Sequence, residues 1–301
     1  VKIAVVGAGA LGLTFAAALA PAHDLVVLAR RAEVAHALTR DGITVDADGH
    51  TAVVPVRATI VPDDLRERDV WLVAVKAYAT RDALTPLADA LPPNVLVASI
   101  QNGIDFAADA RAALGPTARL APGTTMQGAT LLGPTHVRAI GRGRTMFARV
   151  DPPGTSSDDL AAGFAAAGLP AEIVDDVNAR LWRKLLVNAV INPLGALSRR
   201  PNGAIVDDDD LRALGRQLAD EAAAVAASEG YAIADAWTLV EDAARATAPN
   251  RNSMLQDLEA GRRTEIEAIS GAIVRRAAVH GIAVPLTETM LRRVRAREAA
   301  R

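Results

Sequence analysis

Cysteine is absent from all 301 residues, which excludes a disulfide framework, thiolate nucleophiles and cysteine-type zinc sites. Histidine is scarce. His23, His36, His50, His136 and His280 show no metal-ligand spacing, so chemistry without a bound metal is expected. Aromatic residues make up 3% of the chain although half of it is hydrophobic. Alanine and valine therefore carry the packing, and helices should lie close together. Neither sign of charge dominates, and a net charge of −2 argues against a nucleic-acid binder held by electrostatics. No apolar run reaches the length of a membrane span, and the first residues enter a strand pattern without a leader-like basic and apolar region. A cytoplasmic protein with room for two domains is expected.

What is present begins with a short β-branched run at residues 2–6, suited to a buried parallel strand. Gly7-Ala8-Gly9-Ala10-Leu11-Gly12 follows at once, and residues 13–19 have helical character. Strand, G-x-G-x-x-G and helix in this order form the dinucleotide-binding pattern. Gly7 makes the tight turn, Gly9 lets a pyrophosphate approach the backbone, and Gly12 lets helix and strand pack closely. The alternative is a glycine-rich turn without a ligand. A second strand at 24–28 runs into Arg30 and Arg31, with no acid before Glu33. An acid there would suit NAD; guanidinium groups suit the 2′-phosphate of NADP(H). Two solvated arginines opening a helix are the competing reading.

Further apolar strands at 70–75 and 95–100 end at Lys76 and at Gln101-Asn102-Gly103, the strand ends where ligands lie in open α/β sheets. Each is equally explained as an ordinary strand end or turn. Residues 51–58 read with 43–45 as a hairpin. Residues 120–150 read as a mostly antiparallel edge of the same sheet, with turns at Gly123-Thr124-Thr125, at Gly133-Pro134 and at 141–143. Helices are expected at 32–40 and 158–167 and a last strand at 171–174. Beyond Asp175 only helices are predicted, at 177–197, 208–228, 234–246, 263–280 and 287–299. The expected fold is thus an α/β Rossmann-type doubly wound sheet over residues 1–175, followed by an all-helical domain over 176–301.

Within the first of these helices Lys184, Asn188 and Asn192 stand at steps of four. Each step drifts by about 40°, so the three share one face of an otherwise apolar element. Such a line needs partners or solvent. On the pattern alone it is either a solvent-facing side with a snorkelling lysine or part of a site.

These blocks together resemble the ketopantoate reductase (2-dehydropantoate 2-reductase) family over nearly the whole chain. The resemblance rests on Gly7 to Gly12, on Gln101-Asn102-Gly103, and on Leu181-Trp182-Arg183-Lys184 through Asn188 and Asn192-Pro193. It continues in Asn252-Ser253-Met254-Leu255-Gln256-Asp257, Arg263-Thr264-Glu265-Ile266-Glu267 and His280-Gly281-Ile282-Ala283-Val284-Pro285. It implies an NADPH-dependent reduction of 2-dehydropantoate to (R)-pantoate in pantothenate and coenzyme A biosynthesis. Lys184 would be the acid that protonates the keto oxygen, and Asn102 would sit between nicotinamide and substrate. Asn188 and Asn192 would line the substrate site, Ser253 would help hold the carboxylate, and Glu265 would bind the hydroxyl end. Arg30 and Lys76 would belong to the NADPH site with the glycine loop. A small-molecule 2-keto acid is then the partner, and the chain a monomer or homodimer.

The residues suit that chemistry. Hydride addition to a ketone puts negative charge on oxygen, which calls for a preorganised donor. Lysine starts protonated, and burial or nearby cations lower its pKa toward working pH. Other readings stay open. Ser253 has a capping-box spacing to Gln256, and Glu265 can be a surface partner of Arg262 or Arg263. A reductase of a different 2-keto acid and a non-catalytic dinucleotide sensor are the alternative functions.

Overall fold

The computed structural model describes residues 1–141 and 143–300; Arg142 and Arg301 lie outside them. By its internal contacts the chain divides into two compact units. One holds Val1–Gln101 and Phe106–Val177, the other Asn102–Asp105 and Asn178–Arg301.

The first unit is built on six parallel strands: β1 (Lys2–Val6), β2 (Asp24–Leu28), β5 (Arg57–Thr59), β6 (Val70–Val73), β7 (Leu96–Ser99) and β8 (Arg119–Ala121). Their order is β5-β2-β1-β6-β7-β8, and every pair is parallel. Strand residues alternate between faces. Ile3 and Val5 enter one core with Leu72 and Leu96, while Ala4 and Val6 enter another with Trp71 and Val97. A sheet buried on both faces explains why these strands read as unbroken apolar runs rather than as alternating ones. Helices α1 (Ala10–Leu19), α2 (Ala32–Asp41), α3 (Thr80–Leu84), α4 (Phe106–Leu114) and α5 (Ser157–Ala166) complete the unit. Strand order reverses beside β1, where the chain returns as β6. The switch point therefore lies at the carboxyl ends of these two strands, next to the glycine loop.

Two expectations need correction. Residues 120–150 do not extend the main sheet as an antiparallel edge; only β8 joins it, and in parallel. Strands β9 (Gly123–Thr125), β12 (Thr145–Ala148) and β13 (Ala171–Val174) form a separate sheet, so Gly123-Thr124-Thr125 is a strand paired with β12 rather than a turn. Strands β10 (Gly128–Gly133) and β11 (His136–Ile140) join the hairpin β3 (Ile43–Ala47) and β4 (His50–Val54). The free edge of β3 is what draws them away, through a parallel register from His136↔Thr44 to Arg138↔Asp46. The hairpin also ends at Val54, and residues 57–59 pair with β2 instead.

The second unit is helical: α6 (Val177–Ser198, entered from the first unit), α7 (Ala204–Asp207), α8 (Asp209–Ser228), α9 (Ala236–Ala246), α10 (Ser253–Glu259), α11 (Ser270–His280) and α12 (Pro285–Ala299). Trp182, Leu186 and Val190 of α6 pack with Leu218, Ala222 and Val225 of α8 and with Val240, Ile273 and Val294. Side chains as small as Ala219, Ala222 and Ala226, all fully buried, let the helices approach closely. Asp208 caps α8, accepting from the backbone N–H groups of Asp210 and Leu211 at 3.1 and 3.0 Å. The helix expected from residue 263 begins only at Ser270. Thr264 Oγ1 accepts from the Ile266 N–H at 3.2 Å, the local turn by which threonine competes with a helix. Helix α10 is announced in the sequence only by the capping-box spacing from Ser253 to Gln256, because its seven residues are too few to display a period.

Candidate active site

In the first unit the glycine loop leaves β1 and opens α1. Gly7 has φ +117°, and a side chain on it would meet Val75 Cγ1 at 2.7 Å and Val75 N at 2.9 Å. A Cβ on Gly12 would stand 2.0 Å from Gly7 O. Both positions exclude any other residue. Gly9 differs, since its nearest neighbour to an added Cβ is Ala74 O at 4.0 Å. The space above it is open, and no side chain caps α1 at Gly9. Ala8, Ala10 and Leu11 are half-buried beside it. An uncapped helix start beneath an open glycine suits a pyrophosphate, which the backbone N–H groups and helix dipole favour.

Arg30 follows β2 and is exposed. Arg31 is committed to Glu33 at 3.4 Å, while Arg30 has no ion pair among the described residues. Residues 29–32, which follow β2, include no acid, whereas NAD sites carry a ribose-binding carboxylate near the end of that strand. Lys76 is half-buried and starts a 3₁₀ turn over Ala77–Ala79 just past β6. Gln101 ties these strand ends together, donating from Nε2 to Val75 O at 2.8 Å and Thr80 Oγ1 at 2.9 Å.

In the second unit Lys184 and Asn188 are half-buried, and Asn192 is 5% exposed. The line is therefore not a solvated stripe. Burial pushes the Lys184 ammonium down to about 8, and the Glu265 carboxylate works against that by favouring the charged form. Glu265 is itself buried, which corrects its reading as a surface partner of the neighbouring arginines; Arg262 is tied to Asp257 at 2.9 Å. The turn that holds Glu265 is set by its own carbonyl, which accepts from the N–H groups of Ala268 and Ile269 at 3.0 and 3.1 Å. Asn102 Nδ2 donates to Glu265 Oε2 at 2.9 Å, across 163 residues of sequence.

Ser253 is exposed at the first turn of α10, and it is not the cap. That role falls to Asn252, whose Oδ1 accepts from Leu255 N at 3.0 Å while Nδ2 donates to Ile191 O at 3.2 Å. Asn252 thus pins α10 to α6 one residue from both Ser253 and Asn192. Sequence reasoning missed it, although asparagine caps helices at least as well as serine. No direct contact joins Ser253 to Lys184 or Glu265 among the described hydrogen bonds. The structure therefore groups Lys184, Glu265 and Asn102, strings Asn188 and Asn192 along the same helix, and sets Ser253 beside that helix through Asn252. An ammonium with a pKa near working pH, a buried carboxylate and carboxamides can together protonate an oxyanion and hold a hydroxyl. No described helix is long and apolar enough to cross a membrane.

Comparison with known proteins agrees with this architecture. Residues 3–152 match the family model described as ketopantoate reductase PanE/ApbA, and residues 176–298 match the model of its C-terminal part. A 2-dehydropantoate 2-reductase of Archaeoglobus fulgidus is 36% identical over 303 residues, covering 99% of this chain and 98% of the relative. The crystal structure of a PanE/ApbA family ketopantoate reductase from Ralstonia eutropha JMP134 superposes with a TM-score of 0.91 at 32% identity, covering 100% of this chain and 99% of the other. D-mandelate dehydrogenase, in a ternary structure with NADH and anilino(oxo)acetate, also reaches a TM-score of 0.91. It covers the same shares at 23% identity, a likeness of fold alone.

Proposed function

The chain belongs to the ketopantoate reductase family, and on that premise we propose that it reduces 2-dehydropantoate to (R)-pantoate with NADPH, a step toward pantothenate and coenzyme A. The observation that carries the reading is the grouping of Lys184, Glu265 and Asn102, with the Lys184 pKa lowered to about 8 by burial. Residues 1–175 hold the nucleotide and residues 176–301 the keto acid. A biosynthetic reductase of this kind is assigned to the cytoplasm, as a monomer or homodimer.

Bound NADPH supplies the hydride for the keto carbon. The glycine loop from Gly7 to Gly12 would receive its pyrophosphate, and Arg30 and Lys76 would supply cationic partners for its phosphates. Lys184 Nζ donates to the keto oxygen and gives it a proton as charge develops there. An amine with a pKa of about 8 is mostly protonated at neutral pH yet releases its proton more easily than an ordinary lysine. Glu265 accepts a bond from the substrate hydroxyl, and a carboxylate there disfavours a second acidic group on the substrate. The Asn102 amide, which donates to Glu265 Oε2, orients that carboxylate. Asn188 and Asn192 position the keto acid, and the Ser253 hydroxyl takes part in holding its carboxyl group.

The test is NADPH oxidation by the purified chain against a panel of 2-keto acids. Turnover of 2-dehydropantoate is expected. Turnover of another 2-keto acid with none of 2-dehydropantoate would replace the substrate assignment, and no turnover with any would leave a dinucleotide sensor.

A further inference from the structure

Residues 102–105 are covalently part of the loop between β7 and α4, yet by their contacts they belong to the helical unit. All four are engaged there. Asn102 donates to Glu265. Gly103, at φ +89°, passes so near the next turn that an added Cβ would stand 3.0 Å from Ala268 O. Ile104 packs against the helical core. Asp105 is gripped by two consecutive arginines of α11: Arg275 donates to Oδ2 at 2.9 Å and Arg276 to Oδ1 at 2.7 Å.

Each guanidinium also has a second partner. Arg275 also donates to the Glu267 carbonyl at 3.3 Å, two residues beyond Glu265. Arg276 donates to Glu229 Oε2 at 3.3 Å and lies 6.0 Å from the ring centroid of Trp182, two residues before Lys184. A lone surface ion pair contributes little, but here one carboxylate joins two arginines that are each held by a second partner. The side chains of Asp105 and Arg276 are 28% and 21% exposed, so water screens this pair only in part.

We propose that Asp105 is a positioning residue, whose double ion pair to Arg275 and Arg276 holds the segment down so that the Asn102 amide stays on Glu265. It touches neither substrate nor cofactor and acts on the reaction only through Asn102. The proposal rests on the reading of Glu265 as the acceptor of the substrate hydroxyl.

The experiment is a double-mutant cycle, with Asp105→Ala and the volume-conserving Asp105→Asn each made in the native and the Asn102→Ala backgrounds. In the native background either substitution should lower kcat/KM for the keto acid by about tenfold, and in the Asn102→Ala background by no more than about twofold. Losses of the same factor in both backgrounds would overturn the proposal, since a staple acting independently of Asn102 gives multiplying effects. Hydrogen–deuterium exchange of the ligand-free protein supplies a reading that needs no turnover. Peptides covering residues 101–106 and 262–269 should both exchange faster in the Asp105 variants, and unchanged exchange would equally overturn the proposal. If the native chain reduces no keto acid but exchange rises in both peptides, the clamp stands and the assigned function falls.

Discussion

Replacing Lys184 with methionine should make the protein more stable and nearly inactive. Burial moves the ammonium from 10.5 to about 8. At about 1.4 kcal/mol for each pH unit, holding it charged costs the folded chain about 3 kcal/mol. That figure is already net of the attraction of Glu265, which favours the charged form. The sign follows from which state releases its proton first. Below about pH 8 the lysine is protonated in both folded and unfolded chains, and the whole cost is present. Between about 8 and 10.5 the folded chain has lost its proton and the unfolded chain has not, so stability rises with pH. Above 10.5 the cost is gone. Methionine fills a similar volume without charge. The variant should therefore exceed the native protein by up to about 3 kcal/mol near neutral pH, with the advantage shrinking by about 1.4 kcal/mol per unit above pH 8. Urea unfolding followed by circular dichroism, near neutral pH and again near pH 10, measures this beside turnover of the keto acid. The reasoning is refuted if the variant is no more stable near neutrality, if its advantage persists unchanged near pH 10, or if it turns over normally. A gain in stability with loss of activity would mark Lys184 as a group kept at a structural cost for its chemistry.

Other expectations follow from the same geometry. The rate of reduction should fall about tenfold per pH unit above pH 8 as Lys184 loses its proton, and a pH–rate profile flat through that region would remove Lys184 as the acid. Arg30→Ala should weaken NADPH about tenfold or more while barely affecting NADH; equal losses in titrations of the two nucleotides would contradict the 2′-phosphate assignment. Gly12→Ala places a methyl group 2.0 Å from Gly7 O and should cost about 3 kcal/mol of stability together with nucleotide binding, read by melting and by quenching of NADPH fluorescence. Glu265→Ala should raise KM for the keto acid by about tenfold or more, the loss of a charge-assisted hydrogen bond, and an unchanged KM would make its role structural.

Much of this architecture is legible in the sequence because its signals are local. The β1 run, the glycine spacing and the start of α1 are consecutive residues obeying one steric logic, and the structure gives Gly7 and Gly12 no room for a side chain. The line from Lys184 to Asn192 is likewise a matter of helical period. What the sequence leaves unreadable depends on distant pairing. Nothing in residues 136–140 announces that they will extend the edge of a hairpin far earlier in the chain, so residues 120–150 read in the sequence as an edge of the main sheet. Nothing in Asn102-Gly103 shows that these residues join the helical unit, because their partner Glu265 is 163 residues away. The late start of α11 is a local conflict, in which Thr264 bonds its own backbone where apolar spacing suggests a helix. The cap of α10 falls between two adjacent good cappers, and only the bond from Asn252 to Ile191 O favours one of them.

The scarcity of aromatic side chains gives the molecule a simple spectroscopy. Its three tryptophans are all buried, Trp71 in the first unit and Trp182 and Trp237 in the second. Each unit thus carries its own internal fluorophore. Variants retaining only Trp71 or only Trp182 would report the melting of one unit at a time. Trp182, on the helix that carries Lys184 and 6.0 Å from the Arg276 guanidinium, would also register by its emission any loosening of the Asp105 clamp.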